Sequence, residues 1–142
     1  MNTGTTSLHK YLSYHNDIFM SSPKELDFFN IDNNYNKGIA YYKSFFNSSK
    51  KSKGEASPNY TKTHSDVVAK RMSKDFPNIK LIYIVRDPVD RFLSQCRYHN
   101  LDPNAMYKDY FGEKSFKYDI MISGKYGWHY ERFLKYFKKE QI

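Results

Sequence analysis

One cysteine, one tryptophan and six glycines are scattered through 142 residues. Each scarcity closes a door. A lone Cys96 cannot form an internal disulfide, so no disulfide framework holds this chain together. No cysteine–histidine spacing suggests a zinc site, and no Gly-Lys-Ser/Thr follows a glycine-rich turn, which argues against a Walker-type nucleotide loop. No apolar run reaches the length of a membrane span, and no signal peptide opens the chain, so the expectation is a cytoplasmic protein. Acidic residues are also short, 15 against 23 basic, for a formal net charge of +8. That balance favours an anionic partner: a nucleic acid, a membrane surface, or a nucleotide with an anionic acceptor. The length fits one domain, residues 1–142, with no visible linker or repeat.

What is abundant is aromatic, with 14 tyrosines and 11 phenylalanines. Around them the chain is organised on Lys80–His99. Leu81 to Val85 is a continuous apolar run of strand length and reads as a strand buried on both faces. Asp87 is placed to cap a helix and Pro88 to open it. The spacing predicts Val89, Phe92, Leu93 and Cys96 on one helix face, with Asp90, Arg91, Gln95 and Arg97 elsewhere. Arg86 then stands at the carboxyl end of a strand, where open α/β sheets bind ligands. Ser94 follows eight residues later, and the two together could clamp a phosphate beside a helix N-terminus. An ordinary strand–helix unit with a surface arginine fits the same residues.

Elsewhere the pattern gives a helix from the Gly4-Thr5-Thr6-Ser7 start, with Leu8, Tyr11 and Leu12 on one side. Such a start offers N–H groups and hydroxyls to an anion. Ile18–Met20 is a short strand. Lys24-Glu25-Leu26-Asp27-Phe28-Phe29 follows, where Glu25 reads equally as a helix-start carboxylate. A helix is expected over Gly38–Asn47 and another over His64–Phe76, with Val67, Val68, Met72 and Phe76 inward. Ser48–Lys53 is a basic loop. Asn100–Ile122 looks loop-rich. Tyr126, Tyr130, Phe133 or Leu134, and Phe137 form a helix face, and residues 137–142 lead toward another strand.

Five segments, in order, resemble the sulfotransferases that use 3′-phosphoadenosine 5′-phosphosulfate (PAPS), particularly the carbohydrate and heparan-sulfate types. They are Thr3-Gly4-Thr5-Thr6-Ser7-Leu8, Lys24-Glu25-x-x-Phe28-Phe29, Gly54-Glu55-Ala56-Ser57-Pro58-x-Tyr60, Val85-Arg86-Asp87-Pro88 with Ser94, and Ser123-Gly124-x-Tyr126-x-x-His129. The resemblance implies a three-layer α/β sandwich with a mainly parallel sheet, related to nucleotide kinases. It implies that Thr3, Gly4, Thr5, Thr6 and Ser7 hold the 5′-phosphosulfate and that Arg86 and Ser94 hold the 3′-phosphate. Ser123 and Tyr126 would lie near the nucleotide, Glu25 would be the catalytic base, and His129 would act on the acceptor side. The donor would be PAPS, no metal would be needed, and the acceptor would be a carbohydrate or another hydroxyl or amine compound.

Two departures stand out. Asn2 occupies the family's lysine position, and Ala56 a position that is lysine in many relatives. No strand precedes the loop, and the expected reading is a domain truncated at both ends. One alternative is therefore an incomplete sulfotransferase that binds nucleotide and transfers little. Others are a basic nucleic-acid-binding module, which no recognition motif supports, and a P-loop kinase.

Overall fold

The computed structural model describes residues 3–108 and 116–142. Asn2 therefore lies outside the described residues. Helix α1, Thr5–Ser13, starts from Gly4, whose backbone is left-handed at φ 90. A residue with a Cβ would be strained there. The chain then forms β1, Ile18–Met20, which pairs in parallel with β2, Ser52–Gly54, in the register Ile18 to Ser52 and Met20 to Gly54. A parallel pair needs a crossover, and α2 (Asp32–Tyr35) and α3 (Ile39–Ser44) supply it. A 3₁₀ turn at Pro58–Thr61 leads to α4, Ser65–Asp75. Four more helices follow: α5 (Pro88–Tyr98), α6 (Pro103–Lys108), α7 (Phe116–Ile122) and α8 (Tyr126–Leu134). The class is α/β with parallel pairing, as expected.

The aromatic surplus builds the core. Phe28 and Phe29 are essentially inaccessible, and Tyr42, Tyr60, Val68, Ala69, Met72, Phe133 and Phe137 close around them. The ring of Phe28 lies 4.8 Å from that of Tyr42, and Phe29 meets Tyr42 edge-on at 5.2 Å. Burying each such phenylalanine contributes about 1.5–3 kcal/mol. Helix α4 packs on α8, which fixes the C-terminal half against the core. A smaller cluster, Cys96 and Ile120 with Phe92 and Leu101, joins α5 to α7. There Cys96 is a buried small residue, and burial pushes its thiol upward from the ordinary range.

Several expectations are corrected. Leu81–Val85 is not a strand among the described residues, and Ile82 and Val85 are 71% and 52% exposed. A parallel strand is buried only where strands flank it and helices cover it. Here β1, β2 and residues 79–84 line one cavity instead of sharing one ladder. The segment is tied by the Leu81 N–H donating to the Gln141 carbonyl at 2.6 Å. Residues 139–141 form a 3₁₀ turn, and Gln141 Nε2 donates to the carbonyls of Pro77 and Ile79. The inward face of α5 is also rotated. Val89 is exposed, while Arg91 and Gln95 are buried with Cys96. Polar pairing drives the rotation: Arg91 Nη1 donates to Gln95 Oε1 at 2.6 Å and Nη2 to the Ile120 carbonyl at 2.7 Å. On α4, Ala69 takes the core place expected of Val67, and on α1 Tyr11 points outward. The region read as loop-rich carries α6 and α7.

Candidate functional site

A cavity of about 1140 Å³ runs between the start of α1, the paired strands and residues 79–84. Its wall is mostly apolar, from Leu8, Met20, Ile79, Leu81 and Ile84. Polar groups enter from Thr3, Thr5, Glu55, Arg91, Ser123 and Tyr126. Thus the cavity brings together Thr3 and Thr5 from one end of the chain with Ser123 and Tyr126 from the other.

At α1 the first intrahelical bond runs from the Leu8 N–H to the Gly4 carbonyl, 3.0 Å. The N–H groups of Thr5, Thr6 and Ser7 precede it and have no helical acceptor, which leaves them for an anion. Gly4, Thr6 and Ser7 are exposed, while Thr3 and Thr5 are half-buried.

The opposite corner holds donors in need of acceptors. The Tyr83 and Tyr126 hydroxyls and Arg91 Nε are buried, and among the described residues none has a partner in hydrogen-bonding geometry. The two tyrosine rings meet edge-on with centroids 6.0 Å apart. Burial pushes the Tyr83 hydroxyl up to about 12, so it stays a donor at neutral pH. Burial also lowers the Arg91 pKa from its ordinary value, while facing tyrosine hydroxyls oppose that. Unsatisfied buried donors of this kind each cost about 1–3 kcal/mol. An acidic group in the cavity would relieve that cost, so these residues fit an anionic nucleotide. Ser123 is already engaged, its Oγ donating to the Asp119 carbonyl at 2.6 Å.

Arg86, Ser94 and Glu25 lie off the cavity wall, as do Gly4, Thr6 and Ser7. Asp87 caps α5 as expected, its Oδ1 accepting from the N–H groups of Val89 and Asp90 at 3.0 and 2.9 Å. Arg86 immediately precedes that cap and reaches Asp90 at 3.7 Å, one helical turn on. Ser94 sits two turns into α5 and is half-buried. Glu25 is exposed, with Oε1 accepting from Lys24 Nζ at 2.6 Å. Its backbone is better held than its side chain. Leu26, Phe28 and Phe29 are buried directly after it.

His129 is corrected. It is fully buried, with Nδ1 3.0 Å from Ser65 Oγ and Nε2 2.9 Å from the Ile122 carbonyl. Burial lowers its pKa, so it is a neutral cross-link between α4, α7 and α8 and has no face toward the cavity. The histidine follows the family spacing, but spacing carries no information about burial.

Sequence reasoning gave no role to three residues that the site uses. Arg91 was placed on the wrong helix face. Glu55 and Tyr60 belong to a motif whose resemblance places it along the acceptor side of the cleft, with no role for either residue by itself. Glu55 accepts from the hydroxyls of Tyr42 at 3.0 Å, Tyr60 at 2.6 Å and Ser57 at 2.7 Å. Burial raises its pKa, and the hydroxyls oppose that shift. A glutamate followed two and five residues on by hydroxyl side chains was the available signal. The basic loop also differs from a free patch. Lys50 Nζ donates to the carbonyls of His15 and Ile18, both at 3.0 Å, leaving Lys51 and Lys53 exposed.

Comparison with known proteins gives a consistent picture. The profile of the family described as "Sulfotransferase domain" matches residues 2–142. The chain is 35% identical over 162 aligned residues to bifunctional heparan sulfate N-deacetylase/N-sulfotransferase 4 of Mus musculus, covering 99% of this chain and 18% of that protein. The Homo sapiens form 3 of the same enzyme is 33% identical over the same extent. Among solved structures, a sulfotransferase from Alicyclobacillus acidocaldarius superposes with a TM-score of 0.78 at 26% identity, over 98% of this chain and 66% of that one. The chain thus spans less than a fifth of the curated relatives. That overturns the cytoplasmic expectation: in relatives this stretch is part of a much larger bifunctional protein, so the start of this sequence assigns no compartment. No described helix is long and apolar enough to cross a membrane.

Proposed function

The chain belongs to the sulfotransferase-domain family, and from that premise we propose that it transfers a sulfuryl group from PAPS to an amine or hydroxyl of a carbohydrate. The observation that carries this reading is the shared cavity, where the start of α1 and the Arg91–Tyr126 corner offer donors to an anionic nucleotide.

The N–H groups of Thr5, Thr6 and Ser7, with the Thr3 and Thr5 hydroxyls, take the 5′-phosphosulfate, helped by the positive end of the α1 dipole. Tyr126 and Ser123 border the nucleotide, and Arg86 with Ser94 bind its 3′-phosphate by charge-assisted hydrogen bonds. The acceptor's lone pair attacks sulfur in line, and the bond from sulfur to the bridging phosphate oxygen breaks. Glu25 accepts the acceptor's proton, and 3′-phosphoadenosine 5′-phosphate leaves. As in phosphoryl transfer, the protein contributes position and charge stabilisation. The relatives named for heparan sulfate N-sulfation make an amine on an acidic polysaccharide the leading acceptor class. The net charge of +8 suits such a polyanion.

Thermal shift with 3′-phosphoadenosine 5′-phosphate and with AMP tests the binding half. The nucleotide bearing the 3′-phosphate should stabilise the chain more, by an interaction of about 1.5–3 kcal/mol. Arg86→Ala should erase the difference. Equal shifts on the unaltered chain would remove the assigned role of Arg86 and Ser94.

A further inference from the structure

We infer that Glu55, through Ser57 and Tyr60, is a positioning residue that fixes the backbone of the Glu25 loop; this rests on the reading of Glu25 as the base. Two consecutive N–H groups shortly after Glu25, those of Asp27 and Phe28, are held by one short segment. The Asp27 N–H donates to Ser57 Oγ at 3.1 Å and the Phe28 N–H to the Tyr60 hydroxyl at 3.1 Å.

The two hydroxyls are not free to turn. Ser57 donates its proton to Glu55 Oε2 at 2.7 Å, and Tyr60 donates its own to Oε1 at 2.6 Å. A hydroxyl has one proton. With that proton committed to Glu55, each oxygen presents lone pairs to the loop amide. One carboxylate therefore sets the orientation of both acceptors.

Further bonds close the same latch. The Ala56 N–H donates to the Lys24 carbonyl at 3.4 Å, on the other side of Glu25. Asn59 Nδ2 donates to both oxygens of Asp27, at 3.1 and 2.9 Å, where the backbone holds a positive φ of 48. Behind the loop, Phe28 and Phe29 are locked in the core. The result is a side chain at 45% exposure carried on a backbone gripped before and after it. A base must sit within hydrogen-bond reach of the proton that it takes, and a misplacement of about 1 Å can cost ~10²-fold in rate.

The test compares Ser57→Ala, Tyr60→Phe and Glu55→Ala with Tyr42→Phe. Tyr42 also donates to Glu55, at 3.0 Å, yet accepts no loop amide in the latch. Amide hydrogen exchange at Asp27 and Phe28 reads the latch directly, and kcat and donor KM read its consequence. Ser57→Ala should speed exchange at Asp27, and Tyr60→Phe at Phe28, each by about tenfold or more. Both should lower kcat about tenfold, with donor KM within about twofold. Glu55→Ala should free both amides, and should it fail to fold the two hydroxyl variants still decide. Tyr42→Phe should move neither exchange nor kcat. Unchanged exchange in the hydroxyl variants, an equal effect from Tyr42→Phe, or faster exchange with kcat unmoved would each overturn the inference. A wild-type chain that transfers nothing, while exchange responds as expected, leaves the latch standing and defeats the assignment of Glu25 instead.

Discussion

Replacing His129 by alanine should cost this protein a large part of its stability. The ring is fully buried and joins Ser65 Oγ to the Ile122 carbonyl at 3.0 and 2.9 Å. Its removal opens a ring-sized cavity and takes from the buried Ser65 hydroxyl its ring partner, while the Ile122 carbonyl keeps the Lys125 N–H at 2.9 Å. Core ring-to-alanine changes cost about 3–5 kcal/mol, and an orphaned buried group about 1–3 kcal/mol. Relaxation makes the two less than additive, so about 3–5 kcal/mol is expected. For 142 residues the unfolding entropy is roughly 0.3 kcal/mol/K, which converts this loss to a fall in Tm of about 10–17 °C. The histidine also leaves a pH signature. Burial holds its folded pKa below the ordinary 6.5. The unfolded chain then binds the proton first, so the contribution is fully present above 6.5 and is lost as pH falls through the folded value. His129→Gln keeps a neutral polar side chain and should flatten that acid-side slope. Calorimetry of the three chains between pH 5 and 8 decides. An alanine variant melting within about 3 °C of wild type, or an unchanged slope in the glutamine variant, would refute the cross-link.

Two smaller changes probe other joints. Asp87→Ala removes the cap that holds the N–H groups of Val89 and Asp90; it should cost about 0.5–2 kcal/mol in urea unfolding and loosen Arg86 beside it. Gly124→Ala places a Cβ 3.1 Å from Arg91 Nη2. It should push the guanidinium off the Ile120 carbonyl and destabilise by about 1–3 kcal/mol, read from the same unfolding curves; no loss would mean that Arg91 has room to move.

The sequence was most readable where chemistry is local. Asp87 and Pro88 start a helix whatever surrounds them, and α5 begins there. Short apolar Ile18–Met20 became a strand. Legibility failed where partners decide. Leu81–Val85 has every local mark of a buried strand, yet among the described residues it pairs with no strand; residues 81–84 line the cavity, and Ile82 and Val85 are exposed. The inward face of α5 was misread because hydropathy ranks Arg91 as a surface residue, while Gln95 and the Ile120 carbonyl give it a buried home. At the site, Thr3, Thr5, Ser123 and Tyr126, named from family spacing, line the same cavity. The same spacing put His129 among the reacting groups, since no one-dimensional pattern distinguishes a histidine facing a cavity from one turned into the core.

The central claim is sulfuryl transfer with Glu25 as the base. Its most direct measurement follows ³⁵S from labelled PAPS into a polysaccharide with free glucosamine amines, for wild type and Glu25→Gln. Labelled polymer is expected from the wild type, with transfer by the variant lower by about 10²–10⁴-fold and nucleotide binding retained. Label transferred equally well by Glu25→Gln, or none transferred by the wild type to amine or hydroxyl acceptors, would contradict it.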